Sequence, residues 1–322
     1  DIVSLREGRK RSVLVYYVTF RGIYPRTEVS ADQEEMVVIA RKLDALALDV
    51  IEAGSAVTSE GERRAMKAVA EEGLRAEVCS YVRARTGDVD LALNCDVDSI
   101  HLVVPVSDLH IRCKLRSDRE GVMRAAVEVT EYAKGHGLIV ELSGEDASRA
   151  DEGYLTALYR AGIDAGADRL CYCDTVGVLV AEKAFEVFSR LSKLPVPVSV
   201  HCHDDFGLAT ANTVAALRGG ASMAHVTVNG IGERGGNTSL EEVVMTLESL
   251  YGIKTEIQCQ ELYSISRLVS RLTGIPFAPN KAILGENVLT LDAGSTPSRS
   301  YSATPQSTSR SIMRRFGPGR HA

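Results

Sequence analysis

The sequence lacks the features that mark nucleic-acid-binding and membrane proteins. Acidic residues outnumber basic ones by 43 to 37, which gives a net charge of -6, and no basic stripe with interleaved aromatic residues is present. No run of about 18 apolar residues occurs, so a membrane span is not expected. Hydrophobic residues still make up 45% of the 322 positions, enough for a large core. We expect a globular protein that binds a small molecule rather than nucleic acid or a membrane.

Cysteine pairs of the kind that bind zinc or build a disulfide framework are also missing. The seven cysteines are an odd number, lie scattered along the chain and include no Cys-x-x-Cys pair. Several lie within apolar, strand-like runs, so we expect reduced thiols in the core. Residues 1–11 are charged and contain no apolar segment of the kind that a secretory signal needs. These features predict a cytoplasmic location.

What is present is a pattern of short apolar runs alternating with long amphipathic stretches, eight times over. The runs are rich in Val, Ile and Leu, which is typical of parallel strands buried on both faces. The stretches between them have the i, i+3, i+4 apolar spacing of helices. Such units form either a doubly wound sheet or a barrel, and eight of them predict a (β/α)8 TIM barrel with a short C-terminal extension. The predicted strands are residues 13–20, 49–54, 75–80, 99–104, 138–143, 169–173, 198–203 and 225–229.

Changes in composition suggest three parts. Residues 1–252 are predicted to form the TIM-barrel catalytic domain, and residues 253–294 a partial helical linker subdomain with a helix near residues 261–272. Residues 295–322 are rich in Ser, Thr, Pro and Arg and are predicted to be a disordered tail. Three possible capping boxes support the helix starts within the barrel: Ser30 with Gln33, Ser59 with Glu62 and Ser239 with Glu242.

Polar residues follow the predicted strands at the end where barrels of this class bind their ligands. His201 and His203 are two residues apart on strand seven, so their side chains lie on one side and can reach one divalent ion. Two histidines hydrogen-bonded within the barrel would give the same pattern. The glycine-rich loop after strand eight offers Asn237 as a further oxygen ligand. Other strand ends carry Glu52, Arg83, His101, Ser143, Glu145, Asp146, Asp174 and Thr175.

Six segments together resemble the archaeal-type 2-isopropylmalate, citramalate and homocitrate synthase family. The combination of HCHxDxGLAxAN with NGxGERxGN is highly specific, and the resemblance covers about residues 30–287. The segments are HCHDDFGLATANTVAAL from His201, VNGIGERGGNTSLEEVVM from Val228, ELSGEDASR from Glu141, CDTVGVL from Cys173, HLVVPVSDLHIRCKL from His101 and VIEAGSAVTSEGE from Val50.

The resemblance implies an acyltransferase that condenses acetyl-CoA with a 2-oxo acid, as in leucine and related amino-acid biosynthesis. It implies a divalent cation, Mg²⁺ or Mn²⁺, held by His201, His203 and Asn237. His101, Ser143, Glu145 and Thr175 would line the 2-oxo acid pocket, with Arg21, Glu145 and His101 as the catalytic residues. A homodimer is also implied.

Two segments depart from the family pattern. The family has D-x-T-L-R-[DE]-G-E-Q at strand one, where the carboxylate after Arg is a metal ligand, whereas this chain has Gly22 after Arg21. The family also has an H-x-x-G-I-H element after Gly285-Glu286-Asn287, and its histidines are missing here. Because both departures are abrupt, we interpret them as segments translated out of frame. A coding DNA in which no single-base shift restores the pattern would contradict that interpretation.

Three functions therefore stay open. The chain is a working synthase in which Glu28, Asp32 or Glu52 replaces the missing carboxylate, or it is a barrel of the same family without catalysis. A metal-dependent acyl-CoA lyase or aldolase shares the barrel and the paired histidines but lacks this form of the GERxGN loop. Residue 22 is the position that separates the first two.

Overall fold

The computed structural model describes residues 13–17 and 33–289, and its eight strands form one closed barrel. All strands are parallel and follow one another in chain order, with β8 pairing with β1. This order excludes a doubly wound sheet and confirms the predicted TIM barrel. The strands are β1 Leu14–Tyr17, β2 Val50–Glu52, β3 Glu77–Arg83, β4 Ser99–Pro105, β5 Ile139–Glu145, β6 Arg169–Asp174, β7 Val198–Cys202 and β8 Met223–Val226.

Helices connect the strands on the outside of the barrel. None of those in the described residues is long and apolar enough to cross a membrane. Between β4 and α4 a helical turn, Asp108–His110, continues into a π-helical segment, Ile111–Leu115. The longer helices are α1 Gln33–Ala45, α2 Glu60–Ala70, α3 Thr86–Leu93, α4 Arg119–Gly135, α5 Glu152–Asp164, α6 Ala181–Leu191, α7 Ala209–Gly219, α8 Leu240–Leu250 and α9 Leu262–Thr273.

The predicted and observed boundaries differ at a few places. β8 begins two residues before the predicted strand and gives way to a 3-10 turn at Val228–Gly230. Asn229 in that turn has a φ of 63°, which no strand residue adopts. α6 ends at Leu191, because the ring of Pro195 would collide with the Leu191 carbonyl if the helix continued.

The capping predictions have mixed outcomes. The Ser59 hydroxyl accepts a hydrogen bond from the Glu62 amide at 3.1 Å, so this cap is confirmed. Ser239 precedes α8 but makes no side-chain cap bond, so the prediction there is wrong. Its hydroxyl lies 3.4 Å from Lys281 Nζ instead. The Ser30 cap lies outside the described residues.

The segment after residue 252 packs against the barrel rather than standing apart. The side-chain amide of Asn229, from the turn after β8, donates to the Ser266 carbonyl in α9 at 3.1 Å. Lys281 forms ion pairs with Glu242 at 2.8 Å and Glu241 at 3.5 Å in α8. The predicted division into barrel and linker subdomain stays a prediction, and the predicted tail lies outside the described residues.

The hydrophobic core lies between the strands and the helices, not inside the barrel. On β4, for example, Ile100 and Leu102 belong to the large buried cluster that the helices cover. The barrel interior has a small apolar cluster of its own, formed by Tyr16, Val50, Cys79 and Met223 near the amino ends of the strands. Beyond this cluster, toward the carboxyl ends, the interior is polar.

Aspartates just before the even-numbered strands tie those strands to their neighbours. Asp49, Asp98 and Asp168 immediately precede β2, β4 and β6. Their carboxylates accept backbone amide hydrogen bonds from the preceding strands, at 2.7 Å from Val15, 2.8 Å from Val78 and 2.8 Å from Val140. Each bond satisfies an amide at the beginning of a strand, so the three aspartates fix the amino-terminal edge of the barrel.

Replacing one of these aspartates should destabilise the fold measurably. We expect Asp98→Ala to lower the free energy of unfolding by about 1 to 2 kcal/mol, because the Val78 amide loses a charged acceptor. Urea unfolding at neutral pH measures this. The matched control is Asp164→Ala at the exposed end of α5. The Asp164 side chain makes no hydrogen bond or ion pair with the described residues. Equal effects of the two changes on the free energy of unfolding would contradict the assignment.

Candidate active site

Alternation along β5 places three polar side chains at successive levels inside the barrel. Glu141, Ser143 and Glu145 share the inward face of the strand. The Cα atoms of Glu141 and Ser143, and those of Ser143 and Glu145, are about 6.5 Å apart. Glu141 and Ser143 are fully buried, while Glu145 at the carboxyl end is 9% exposed. The barrel interior therefore has a deep polar layer at Glu141 and an upper one that leads to the mouth.

His101 lies at the middle level and is held at both ring nitrogens. Its Nδ1 is 2.6 Å from the Glu52 carboxylate, and its Nε2 is 2.6 Å from the Ser143 hydroxyl. Burial by itself lowers the pKa of His101, but the Glu52 carboxylate and neighbouring groups outweigh it and raise the pKa to about 9. His101 is thus an imidazolium that donates to Glu52 and Ser143.

Glu145, at the end of β5, is held by residues from the helical segment after β4. Lys114 Nζ lies 2.8 and 2.7 Å from its two carboxylate oxygens, and His110 Nδ1 lies 2.7 Å from one of them. Lys114 is itself exposed. This arrangement orients the carboxylate at the barrel mouth and compensates its charge.

Thr175, at the end of β6, contacts the loop that follows β5. Its hydroxyl accepts a hydrogen bond from the Asp146 amide at 2.8 Å, which joins the ends of β5 and β6. Asp146 has a left-handed φ of 65°, and its carboxylate accepts from Ser107 at 2.5 Å and from Arg149 at 2.8 Å. Thr175 therefore helps to hold the loop that carries Glu145.

His201, His203 and Asn237 meet at the end of β7. The rings of His201 and His203 are 4.9 Å apart between centroids, and His203 forms a β-bridge with Asn237. All three side chains are less than a tenth exposed. Burial and the nearby Arg234 lower the pKa of His203, which keeps its imidazole neutral, as a metal ligand must be.

Two buried atoms in this group fit a bound cation. Among the described residues, Nδ1 of His203 and Oδ1 of Asn237 have no hydrogen-bond partner, and buried polar atoms of this kind require an explanation. A Cβ at Gly232 would collide with the Asn237 side chain, so the glycine leaves that amide its position. Imidazole nitrogen and amide oxygen are acceptable ligands for Mn²⁺, and less favourable ones for Mg²⁺.

The deep layer contains a second chain of contacts below these histidines. His225 Nε2 lies 2.7 Å from Glu141 Oε1, and Arg169 Nε donates to Glu141 Oε2 at 2.6 Å. Arg169 also binds Glu77 at 2.5 and 3.1 Å. Burial alone would raise the pKa of Glu141, but His225 and Arg169 lower it to about 2. Glu141 is thus ionised inside the barrel.

Four side chains in this layer could also hold a metal ion. One ligand atom from each of His101, Glu141, Cys171 and His225 lies within 4.8 Å of the others. However, both nitrogens of His101 and Oε2 of Glu141 already have hydrogen-bond partners. Within the described part of the chain, Glu141 Oε1 and His225 Nε2 have none, but they lie 2.7 Å apart as an ion pair. A cation here would have to displace those contacts, so His201, His203 and Asn237 are the better candidate site.

The sequence profile of the HMGL-like family matches residues 21–269 of this chain. The chain belongs to the HMGL-like family. Solved structures of similar fold include hydroxymethylglutaryl-CoA lyase from Pseudomonas aeruginosa, with a TM-score of 0.74 and 19% identity over 83% of this chain and 94% of that one. The HMG-CoA lyase from Brucella melitensis gives 0.73 and 16%, over 82% and 99%. At these identities they support the barrel fold alone.

Curated relatives in the HMGL-like family are more similar in sequence. "Putative (R)-citramalate synthase CimA" of Methanosarcina mazei is 64% identical over 83% of this chain and 55% of its own length. (R)-citramalate synthase CimA of Methanocaldococcus jannaschii is 54% identical, over 88% and 58%. "Probable 2-isopropylmalate synthase" of Methanopyrus kandleri is 47% identical, over 88% and 57%. The resemblance inferred from the motifs is confirmed, and the chain spans about half the length of these relatives.

The structure brings most of the predicted site residues together in two groups. His101, Ser143 and Glu52 are in contact in one group, and His201, His203 and Asn237 form the other. Arg21 lies outside the described residues, as do Gly22, Glu28 and Asp32. Of the proposed replacement ligands, Glu52 is already engaged by His101 and by the Tyr16 hydroxyl at 3.3 Å.

Sequence reasoning missed the residues that support this site. Lys114, His110, Arg169 and His225 were not singled out, although each contacts a buried carboxylate. Alternation would have found His225, because it lies two residues before Thr227 on an inward face and opposite His201 in the barrel register. No pattern in the sequence connects Lys114 with Glu145, since the pair is formed by the fold.

The charge on His101 should make the free energy of unfolding decrease as the pH becomes alkaline. Because its pKa is raised from 6.5 to about 9 in the fold, protonated His101 contributes stability that is complete below pH 6.5 and is lost as pH rises through 9. We expect His101→Gln to flatten this loss when urea unfolding is measured between pH 6.5 and 9.5. The control is His136→Gln, an exposed histidine, which should keep the wild-type slope; a wild-type slope in His101→Gln would contradict the assignment.

Proposed function

We propose that this chain carries the active site of a citramalate-synthase-type acyltransferase, which condenses acetyl-CoA with pyruvate. The relatives named above support this reaction class, and citramalate is the product of adding one acetyl unit to pyruvate. The observation that carries the proposal is the pair of buried, unpartnered donor atoms on His203 and Asn237 beside His201.

The reaction needs three things from the protein. The methyl group of acetyl-CoA must lose a proton, and its carbon must form a bond to the ketone carbon of pyruvate. The ketone oxygen must accept a proton to become the hydroxyl group. Water must then cleave the thioester C–S bond, which releases the CoA thiol and the second carboxylate.

Residues of this chain can be assigned to these steps. Glu145 stands at the mouth with its carboxylate oriented by Lys114 and His110, so we assign it the proton transfer at the reacting carbon. The His101 imidazolium, in contact with Ser143, supplies positive charge below the pocket, which favours an anionic 2-oxo acid. Ser143 and Thr175 would line the same pocket. Arg21 would stabilise the developing alkoxide.

His201, His203 and Asn237 would hold a divalent cation, Mn²⁺ or Mg²⁺. A bound cation supplies Lewis-acid polarisation of the ketone and holds the 2-oxo acid through its oxygen atoms. All three protein ligands are neutral, so the substrate carboxylate would provide the negative charge that hard cations prefer. This ligand set favours Mn²⁺ over Mg²⁺.

Product formation tests the proposal directly. We expect citramalate, measured by mass spectrometry, from acetyl-CoA, pyruvate and Mn²⁺, with pyruvate preferred to 2-oxoisovalerate and 2-oxoglutarate by about tenfold or more. Glu145→Gln should lower kcat by about 100- to 10,000-fold. Gly22→Asp should raise the affinity for Mn²⁺, because it restores a carboxylate beside Arg21.

The controls separate the alternatives. His136 lies on the outside of the barrel, so His136→Gln should leave turnover unchanged. Cleavage of a 3-hydroxyacyl-CoA instead of condensation would assign the chain to the lyases. No product from either the unaltered chain or Gly22→Asp, with both folded, would contradict the proposal and leave a barrel without catalysis. The homodimer and the cytoplasmic location stay predictions.

A further inference from the structure

We propose that His225, held by Glu141, is a positioning residue that fixes the tautomer and the ring orientation of His201. The inference rests on the proposed function, since it gives His201 its use as a cation ligand. It starts from one contact: Nδ1 of His225 lies 3.4 Å from Nδ1 of His201, and both side chains are buried. One of these nitrogens must donate and the other accept.

Glu141 decides which nitrogen donates. Glu141 is a carboxylate that Arg169 holds as its counter-charge, with Arg169 Nε donating to Glu141 Oε2 at 2.6 Å. Glu141 Oε1 approaches His225 Nε2 to 2.7 Å, an ion-pair contact without hydrogen-bond geometry. A carboxylate oxygen at this distance repels a nitrogen lone pair, so the proton of His225 lies on Nε2. A neutral His225 then has only an acceptor lone pair at Nδ1, so His201 must carry its proton on Nδ1. The lone pair of His201 is consequently on Nε2.

This tautomer is the one that a cation ligand at Nε2 requires. Metal-binding histidines commonly use one ring nitrogen for the metal and donate the other N–H to a fixed acceptor, which sets the ring orientation. The usual acceptor is a carboxylate or a carbonyl oxygen. Here His225 would be the acceptor instead. Because Glu141 fixes the proton of His225 on Nε2, it would also fix the proton of His201 on Nδ1.

The layer below keeps His225 in one orientation. Its ring stacks on Tyr16 with centroids 4.0 Å apart and an interplanar angle of 14°. Arg169 binds Glu141 and is itself bound by Glu77, so the carboxylate that His225 faces is held in place. Cys171 Sγ also approaches His225 Nδ1, at 3.9 Å, which makes it the competing donor.

Tautomers can be measured without any bound cation. In the unaltered protein labelled with ¹⁵N-histidine, long-range ¹H–¹⁵N correlation spectra report which nitrogen of each imidazole carries the proton. We expect the Nδ1–H form for His201 and the Nε2–H form for His225. The opposite form at His201 would overturn the proposal, and this readout does not depend on whether a variant folds.

Variants test the consequence for binding. His225→Phe keeps the stacked ring and removes both nitrogens, so the Nδ1–H preference of His201 should weaken and the Kd for Mn²⁺, measured by electron paramagnetic resonance, should rise about 10- to 100-fold. The matched control is Ser199→Ala, a buried change two residues from His201 on the same strand, which should alter neither. An unchanged His201 tautomer in folded His225→Phe would overturn the proposal.

The two readouts keep this inference apart from the proposed function. If the unaltered chain forms no citramalate but His201 has the predicted tautomer and responds to His225→Phe, the positioning role holds and the reaction is wrong. If citramalate forms while His201 has the opposite tautomer, the reaction holds and the positioning role is wrong.

Discussion

The ion pair between Glu141 and Arg169 lies inside the barrel, whose interior is polar apart from one small apolar cluster. An unpaired buried charge costs several kcal/mol, so each charge introduced there demands a partner. Glu141 is shared by Arg169 and His225, Arg169 is shared by Glu141 and Glu77, and Glu52 faces the His101 imidazolium. These pairs dictate which nitrogens carry protons, and through them the chemistry available at the mouth.

The fold could be predicted from the sequence because its signals are periodic and local. Eight apolar runs separated by amphipathic stretches define the barrel, and alternation within a strand places Ser143 and Glu145, or His201 and His203, on one inner face. The missing cap bond at Ser239 and the turn at Asn229 were less predictable, because tertiary contacts with Lys281 and Ser266 decide the local hydrogen bonds there. The pair of Lys114 with Glu145 joins the π-helical segment after β4 to the end of β5, and no local pattern predicts how these two parts pack.

The glycines of the loop after β8 are required by the close packing around Asn237. Side chains at Gly232 and Gly236 would collide with Asn237 and with the Gly230 carbonyl, so glycine is required for the loop to place Asn237 against His203. Arg234 in the same loop binds Asp205 and the Thr175 carbonyl, and so joins the loops after β6 and β7. The glycines thus place the amide oxygen of Asn237 beside His203.

We propose that His201, His203 and Asn237 hold a divalent cation, not the deeper group of His101, Glu141, Cys171 and His225. A crystal structure with Mn²⁺ and pyruvate, recorded at a wavelength where Mn²⁺ scatters anomalously, tests it most directly. We expect one anomalous peak at ligand distance, about 2.0 to 2.3 Å, from the nitrogens of His201 and His203 and the Asn237 oxygen. A peak within the deeper group, with none at the histidine pair, would contradict it.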